Sequence, residues 1–419
     1  MNNVVTPSRA AFGLGVLTLI NFLNYTDRYI LAGVMKKVQD HFHLTDTDGG
    51  LLATTFMVVY LIASPVGGFL GDRLPRHFLI AGAVLVWSLA TIASGLASSF
   101  VLLIIARAAT GVGEAGYGTI APSFISDLFK PERRSRMLAI FYTAMPLGAA
   151  AGFILGGFVG DKHGWQAAFF VGGAPGIVLG LMCFFIPEPQ RGGMEAAHVE
   201  KIPFMVGLKE LFTNGRFWVV TAGLTLMTFS IGGLSNWMPK FLESERGFSG
   251  TDAGLYLGAT TVVGGLLGTL AGGFLGDRIE KRMPGGGVLM SGFGLSFAAP
   301  MMLVAVHAES KSLLLGSLLL AQFFIFLNNG PLNAAIVNVV SPGFRAFAFS
   351  ISTMTLHLLG DAASPAIIGW ISDTSKKAGG PGLATAIQIN ALPVLIGGLV
   401  LLAGARWFRP NEPPRPASA

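Results

Sequence analysis

The sequence predicts an all-α polytopic membrane protein, with twelve transmembrane helices in two pseudo-symmetric six-helix bundles. Three observations predict it. The 419 residues are 52% hydrophobic and only 12% charged, whereas about a quarter of an ordinary soluble domain is charged. The apolar residues fall in repeated runs of about 20, the length that crosses a hydrocarbon core as a helix. A seven-residue motif also occurs twice, at matching places in the two halves of the chain.

The first run, residues 10–36, is too long for a secretory signal and lacks a small-residue cleavage site, so it reads as the first span. Runs at 49–70, 78–97, 101–127, 136–160 and 166–186 complete a first set of six. After a polar stretch come 217–243, 253–276, 287–307, 312–340, 345–373 and 385–408. This divides the chain into a bundle at 1–186, a linker at 187–216 marked by Pro187, Pro189, Arg191, Gly192 and Gly193, and a second bundle at 217–419. The 57 glycines suit a bundle whose helices approach closely. The single cysteine, Cys183, has no partner for an internal disulfide and reads as a packing residue.

Orientation follows from the loops. With both termini on one side, the segments on that side hold 18 Lys and Arg and the opposite loops hold 8. Cytoplasmic loops carry the excess of basic residues, so both termini are expected in the cytoplasm. The short loops suit a bacterial inner membrane.

The repeat is Gly67-Gly68-Phe69-Leu70-Gly71-Asp72-Arg73, found again as Gly272-Gly273-Phe274-Leu275-Gly276-Asp277-Arg278. Pro131 and Arg134 after the fourth span recur as Pro342 and Arg345 after the tenth. A weaker echo lies inside each half. The fifth span ends Gly157-Phe158-Val159-Gly160-Asp161 and the eleventh ends Gly369-Trp370-Ile371-Ser372-Asp373. Inverted three-helix units are the architecture of alternating-access carriers. Glycine ladders at 148, 152, 156 and 160 and at 264, 268, 272 and 276 offer smooth faces for close helix packing. They are expected to form a seam between the halves.

Gly-Phe-Leu-Gly-Asp-Arg followed by Arg76 resembles the signature of the major facilitator superfamily, although Leu74-Pro75 replaces its usual glycine. The resemblance implies a cytoplasmic latch of Asp72, Arg73 and Arg76, with Arg133, Arg134 or Arg136 as partners, and Asp277 and Arg278 as the second copy. The plainer reading is a basic loop that only sets topology. A narrower resemblance is to the Spinster family of lysolipid and sphingolipid transporters. It rests on Asn24-Tyr25-Thr26-Asp27-Arg28-Tyr29, Gly111-Val112-Gly113-Glu114-Ala115-Gly116-Tyr117, Thr119-Ile120-Ala121-Pro122 and His357-Leu358-Leu359-Gly360-Asp361-Ala362-Ala363-Ser364-Pro365. It implies the major facilitator fold and an amphiphilic substrate with a charged head, such as a lysophospholipid or sphingosine-1-phosphate.

Ionisable residues inside a span are expensive to insert and mark pathways or proton relays. Asp27 and Arg28 in the first span, Arg107 and Glu114 in the fourth, and His357 and Asp361 in the eleventh are the candidates. Arg107 and Glu114 are two turns apart on one face, about 10 Å along the axis, too far for a direct bond. Asp27 and Arg28 point about 100° apart, so one of them is free to pair with the fourth span. Burial disfavours a charged carboxylate and a nearby guanidinium restores it, so Asp27 and Glu114 are the candidates for proton coupling. Arg28 and Arg107 would hold those carboxylates or an anionic substrate head. The alternative is a fixed ion-pair network that only orders the bundle. His357 and Asp361, at i and i+4, are expected on one face. Asn328, Asn329 and Asn333, around the interruption at Pro331, and Asn236 and Trp237 are candidates to line the cavity. Asp127, Lys240 and Glu243 lie near span ends and take no role.

No nucleotide-binding loop, hydrolase elbow or metal-ligand cluster occurs, so an ATP-driven pump, an enzyme and a metal site are not expected. Nor does any basic run long enough for nucleic acid. The expected partners are the bilayer and an amphiphilic or organic-anion substrate, with a monomeric chain and no cofactor beyond a proton gradient. The alternative within transport is an importer or a drug or organic-anion antiporter for small molecules.

Overall fold

Every apolar run of the sequence is helical in the computed structural model, which describes residues 6–189, 204–341 and 344–408. The helices are α1 (Pro7–Phe42), α2 (Asp46–Gly71), α3 (Arg76–Gly95), α4 (Phe100–Leu128), α5 (Pro131–His163) and α6 (Trp165–Met182). They continue with α7 (Phe204–Thr213), α8 (Gly215–Glu245), α9 (Gly250–Arg282), α10 (Gly286–His307), α11 (Lys311–Phe326) and α12 (Asn329–Val339). The last are α13 (Arg345–Leu356), α14 (Ser364–Lys377) and α15 (Leu383–Gly404). No strand occurs among the described residues. Among the described residues, ten helical stretches are long and apolar enough to cross a membrane; the 36-residue α1 and the interrupted stretch 345–377 fall outside that count.

Local chemistry sets the boundaries. Thr45 accepts a hydrogen bond from Asp48 N at 3.2 Å while the Asp48 carboxylate accepts from Thr45 N at 3.0 Å, a capping box that starts α2. Ser99 and Ser310 cap α4 and α11 by accepting from Leu102 N and Leu313 N. Pro131 opens α5 at a position where its missing N–H is no loss.

Two helix bounds depart from the sequence expectation. α1 runs to Phe42, beyond residue 36, because a charged tail at Lys36, Lys37 and Asp40 ends hydropathy without ending a helix. The stretch 187–216 contains α7, whose ten residues are too few to register as a span. Of that stretch, Arg191, Gly192 and Gly193 lie outside the described residues, as does Pro342.

The tenth and eleventh spans are each broken. α11 gives way to α12 at Leu327 and Asn328, just before Pro331, whose ring removes a backbone donor. Between α13 and α14 lies a π turn, His357–Asp361, with Gly360 at φ −97° and ψ −105°. The α-helical i, i+4 spacing expected for His357 and Asp361 is therefore not kept. Gly360 also packs tightly: a Cβ there would lie 3.1 Å from Phe229 N.

The glycine ladders do not form a seam between the halves. A Cβ on Gly148 or Gly152 would lie 2.4 Å from the carbonyl oxygens of Phe22 or Thr26, and one on Gly156 2.8 Å from that of Ile30. The first ladder thus seats α5 on α1. The second seats α9 on α11 and α12, with Gly268 facing Phe323 O at 2.4 Å and Gly276 facing Pro331. Spacing announced close approach correctly but could not name the partner helix.

The chain forms two compact units. One comprises Met1–His198 with Ile231–Val262 and Asp361–Ile387; the other comprises Val199–Ser230, Val263–Gly360 and Gln388–Ala419. The duplication read from the sequence is visible in each. In the first, Arg134 Nε donates to Ser126 O at 3.1 Å. In the second, Arg345 Nε donates to Val337 O at 2.9 Å. Donor and acceptor are both shifted by 211 positions.

Candidate functional site: a buried charge network and a helix-end interlock

The buried charges of the first unit lie between α1 and α4, and the glycines of α4 put them there. A Cβ on Gly111 would lie 2.5 Å from Phe56 O of α2, and one on Gly113 would lie 2.7 Å from Ala83 O of α3. Backbone contact on these two sides leaves Glu114 and Arg107, two turns apart, turned toward α1. Tyr117, 1% exposed, fixes the pairing by donating to Leu17 O of α1 at 2.6 Å.

The pairing is crossed. Arg28 Nε donates to Glu114 Oε2 at 2.6 Å. Arg107 Nη1 lies 3.8 Å from Asp27 Oδ1, while Thr91 of α3 donates to Asp27 Oδ2 at 2.5 Å. Neighbours on α1 therefore engage residues seven apart on α4, and both Asp27 and Arg28 find partners there. Asp27, Arg107 and Glu114 are fully buried, and Arg28 retains 16% side-chain exposure. Its guanidinium lies 5.1, 5.3 and 4.9 Å from the ring centres of Tyr25, Phe56 and Tyr60, a cage that favours a cation.

The network is incompletely bonded. Asp27 Oδ1, Glu114 Oε1, Arg107 Nε and Nη1, and Asn24 Nδ2 are buried without a hydrogen-bond partner among the described residues.

The other candidates are placed differently. Asn236 donates to Gly232 O, Asn328 to Phe324 O and Ile325 O, and Asn333 to Asn329 O, so three of these side-chain amides return to the backbone of their own helical stretch. Asn329 is half-buried at the start of α12. Trp237, completely buried, donates to Pro365 O at 2.9 Å and ties α8 to α14. In the repeated loop, Arg76 is buried and bonds Asp127 Oδ2 at 2.6 Å, Glu188 Oε1 at 2.8 Å and Pro189 O at 3.0 Å. Asp127, given no role from sequence, is thus one anchor of the loop. Burial alone would raise the Glu188 carboxyl, but hydrogen bonds from His77 and Arg76 hold it below the ordinary range. The Arg73 guanidinium covers Phe69 at 3.4 Å, Arg133 is exposed, and Arg134 serves the backbone as above. Arg278 ends the second copy, and Asp277 lines a cavity of about 90 Å³ with Glu280, Gly287 and Pro331.

Sequence reasoning missed a second cluster, at the end of the first unit where α1 meets α2. Asp373 of α14 accepts from Asp46 N at 3.0 Å, Thr47 N at 2.8 Å and Thr47 Oγ1 at 2.6 Å. It thereby caps the start of α2. Asp161 of α5 does the same for α9, accepting from Thr251 N at 2.6 Å and Thr251 Oγ1 at 2.7 Å.

Each cap sits on glycine contacts of matching register. A Cβ on Gly369 would meet Asp46 O at 2.2 Å, and one on Gly157 would meet Gly250 O at 2.0 Å. Gly50 against Pro365 O and Gly254 against Phe153 O are both at 2.3 Å. Asp46, fully buried, also accepts from Lys240, Lys376 and Ser372. Lys37 bridges Asp161 at 2.8 Å and Glu243 at 3.5 Å. Lys240 and Glu243, passed over in the sequence, are therefore members of this interlock. The clue present in the sequence was the echo ending in Asp161 and Asp373.

Residues 17–365 match the model of the Major Facilitator Superfamily. Protein spinster homolog 3 of Danio rerio is 34% identical over 393 residues, covering 89% of this chain and 79% of that protein. Protein spinster homolog 1 of Homo sapiens is 34% identical over 432 residues, covering 96% of this chain and 81% of that protein. The chain belongs to the Spinster family of the major facilitator superfamily. The fold agrees. A crystal structure of a bacterial homologue of the human lysosomal transporter Spinster, inward-facing and unoccupied, superposes with a TM-score of 0.88 at 24% identity, covering 97% of this chain and 100% of that one. This Spinster-family chain is thus a multi-pass membrane protein with the fold of a transporter.

Proposed function

We propose that the chain is a proton-coupled secondary transporter that moves an anionic amphiphile, of the lysophospholipid or sphingosine-1-phosphate kind, by alternating access. The observation that carries this reading is the crossed network in the membrane interior, with two carboxylates, two guanidiniums and buried polar atoms left open on both. Asp27 and Arg107, 3.8 Å apart, are close enough to attract and too far apart to hydrogen-bond, an arrangement suited to an exchange of partners.

Protonation of Glu114 removes the charge that holds Arg28 and releases the guanidinium, already bordered by three aromatic rings, to an anionic head group. Protonation of Asp27 loosens Arg107 in the same way. Arg28, which keeps 16% side-chain exposure, is the member that meets substrate first, and the fully buried Asp27–Arg107 pair responds to the change that follows. The interlock at Asp46, Asp161 and Asp373 serves as the gate at the periplasmic end, with the termini cytoplasmic as the loop charges indicate. The repeated loops at Asp72–Arg76 and Asp277–Arg278 serve the cytoplasmic end.

The test is uptake into proteoliposomes, scanning labelled lysolipids and small organic anions with and without a proton gradient. Gradient-dependent lysolipid uptake in the parent, abolished in a folded Asp27→Asn variant, is the expected result. Unchanged pH-dependent uptake by Asp27→Asn would remove the coupling role. Movement of small organic anions alone would remove the amphiphile.

A further inference from the structure

The linker helix α7, the start of α8 and the end of α15 meet at one corner of the second unit. The ring of Trp407, just past α15, lies 3.4 Å from where a Cβ on Gly215 would stand, and Gly404 packs on Val219. Trp218 joins the two helices of the linker side. Its indole donates to Phe212 O at 3.3 Å, and its ring centre is 5.6 Å from that of Phe212.

α7 buries Gly207 and Leu211 against the unit and turns other apolar residues outward. Met205 is 71% exposed, Phe212 54% and Trp407 46%. Lys209, Arg216 and Arg406 are exposed around these rings, and none is in an ion pair among the described residues. The adjacent acid is already engaged, since Glu210 accepts from Ser341 Oγ at 2.7 Å and Ser341 N at 3.2 Å.

Exposed Phe and Trp beside Lys and Arg are the composition of a membrane–water boundary, where rings sit at headgroup level and cations reach phosphates. Ten residues are too few to cross a bilayer, and α7 joins α8, a helix apolar enough to span. The exposed apolar edge continues along α15, where Leu392, Ile396 and Leu399 are exposed. A water-facing helix would gain nothing from outward Met205 and Phe212.

We propose that this corner is an interfacial binding site for anionic phospholipid headgroups, with Met205, Phe212 and Trp407 at the acyl boundary and Lys209, Arg216 and Arg406 on the phosphate layer. The site shares no residue with the network of Asp27, Arg28, Arg107 and Glu114, and the inference rests on the membrane fold, independent of substrate or coupling. Each basic residue near a negatively charged leaflet favours association about fivefold. Neutralising three is expected to remove most of the preference.

The test is native mass spectrometry of the full chain purified from equal phosphatidylglycerol and phosphatidylcholine. The parent should retain phosphatidylglycerol on the order of a hundredfold over phosphatidylcholine, the product of three such increments. The preference should fall to within about twofold in a Lys209→Gln, Arg216→Gln, Arg406→Gln variant and persist in Lys162→Gln, Lys377→Gln. Equal retention of the two lipids by the parent, or undiminished preference in the triple variant, overturns the proposal. A spin label at Phe212→Cys in a Cys183→Ser background decides independently if the triple variant is lost in folding. Oxygen-accessible headgroup depth supports the site, and full exposure to aqueous quencher refutes it.

Discussion

Gly369→Ala should unlock the end of the bundle where α14 meets α2. The added Cβ would stand 2.2 Å from Asp46 O, a backbone atom that cannot rotate away, and ordinary contact begins at 3.4 Å, so the two helices must part by about 1.2 Å. Asp373 accepts its three bonds at 2.6–3.0 Å from the same turn of α2. A parting of that size carries them beyond bonding distance. Hydrogen bonds to a charged group contribute about 1.5–3 kcal/mol each. Losing two removes roughly 3 kcal/mol, about a hundredfold in the ratio of closed to open forms. The assay is the labelling rate, with a membrane-impermeant maleimide, of Met35→Cys in a Cys183→Ser background. Met35 is completely buried, beneath Gly49. Gly369→Ala should label faster by one to two orders of magnitude, as set by that energy, and its twin Gly157→Ala should follow. Gly273→Ala, whose Cβ would meet nothing within 4 Å, should match the parent. A folded Gly369→Ala protein that labels at the parental rate would refute the idea that these glycines hold the end closed.

Glu114→Ala leaves Arg28 buried beside it without its carboxylate and should lower unfolding stability by about 3–5 kcal/mol, read as the denaturation midpoint in detergent. The double variant Arg28→Met, Glu114→Leu should recover most of that stability while transport stays lost. Asp46→Asn weakens the holds of Lys240 and Lys376 together and should speed the same maleimide reaction at Met35→Cys, though less than Gly369→Ala, because the Asp373 cap survives. Glu188, held below the ordinary carboxylate value of 4.5, contributes stability that is fully present above that value and lost as pH falls toward its folded value. The melting-temperature difference between parent and Glu188→Gln should therefore be constant near neutrality and shrink below about pH 4.5.

What could be read in advance follows from how local each signal is. Spans are written in contiguous hydropathy, and the ten helical stretches that are long and apolar enough to cross a membrane among the described residues all lie on runs legible in the sequence. The charges at 27, 28, 107 and 114 were conspicuous because a bilayer tolerates so few. Their crossed pairing was not legible, since it depends on how α1 is seated against α4 by Tyr117 and by glycines that face α2 and α3. The interlock was hidden for a different reason. Asp46, Lys240 and Lys376 look like ordinary loop-edge charges, and only tertiary structure brings positions 46 and 376 together. The glycine ladders announced tight contact, and the partner they imply lies in the same half as the ladder.

The π turn at His357–Asp361 acquires a further meaning when the two halves are laid over one another. Arg134 and Arg345 are 211 positions apart, but Gly157 and Gly369, and Asp161 and Asp373, are 212 apart. The eleventh span has gained one letter between those landmarks, and the π turn lies within that interval. In an unbroken α-helix an extra residue swings everything beyond it by about 100°. Gly369 would then face away from Asp46, and Asp373 would miss the end of α2. Widening one loop of backbone absorbs the surplus residue and delivers the last two turns in phase. Deleting Leu359 would straighten the span while leaving that phase intact, so the chain should still close at this end after losing its bend.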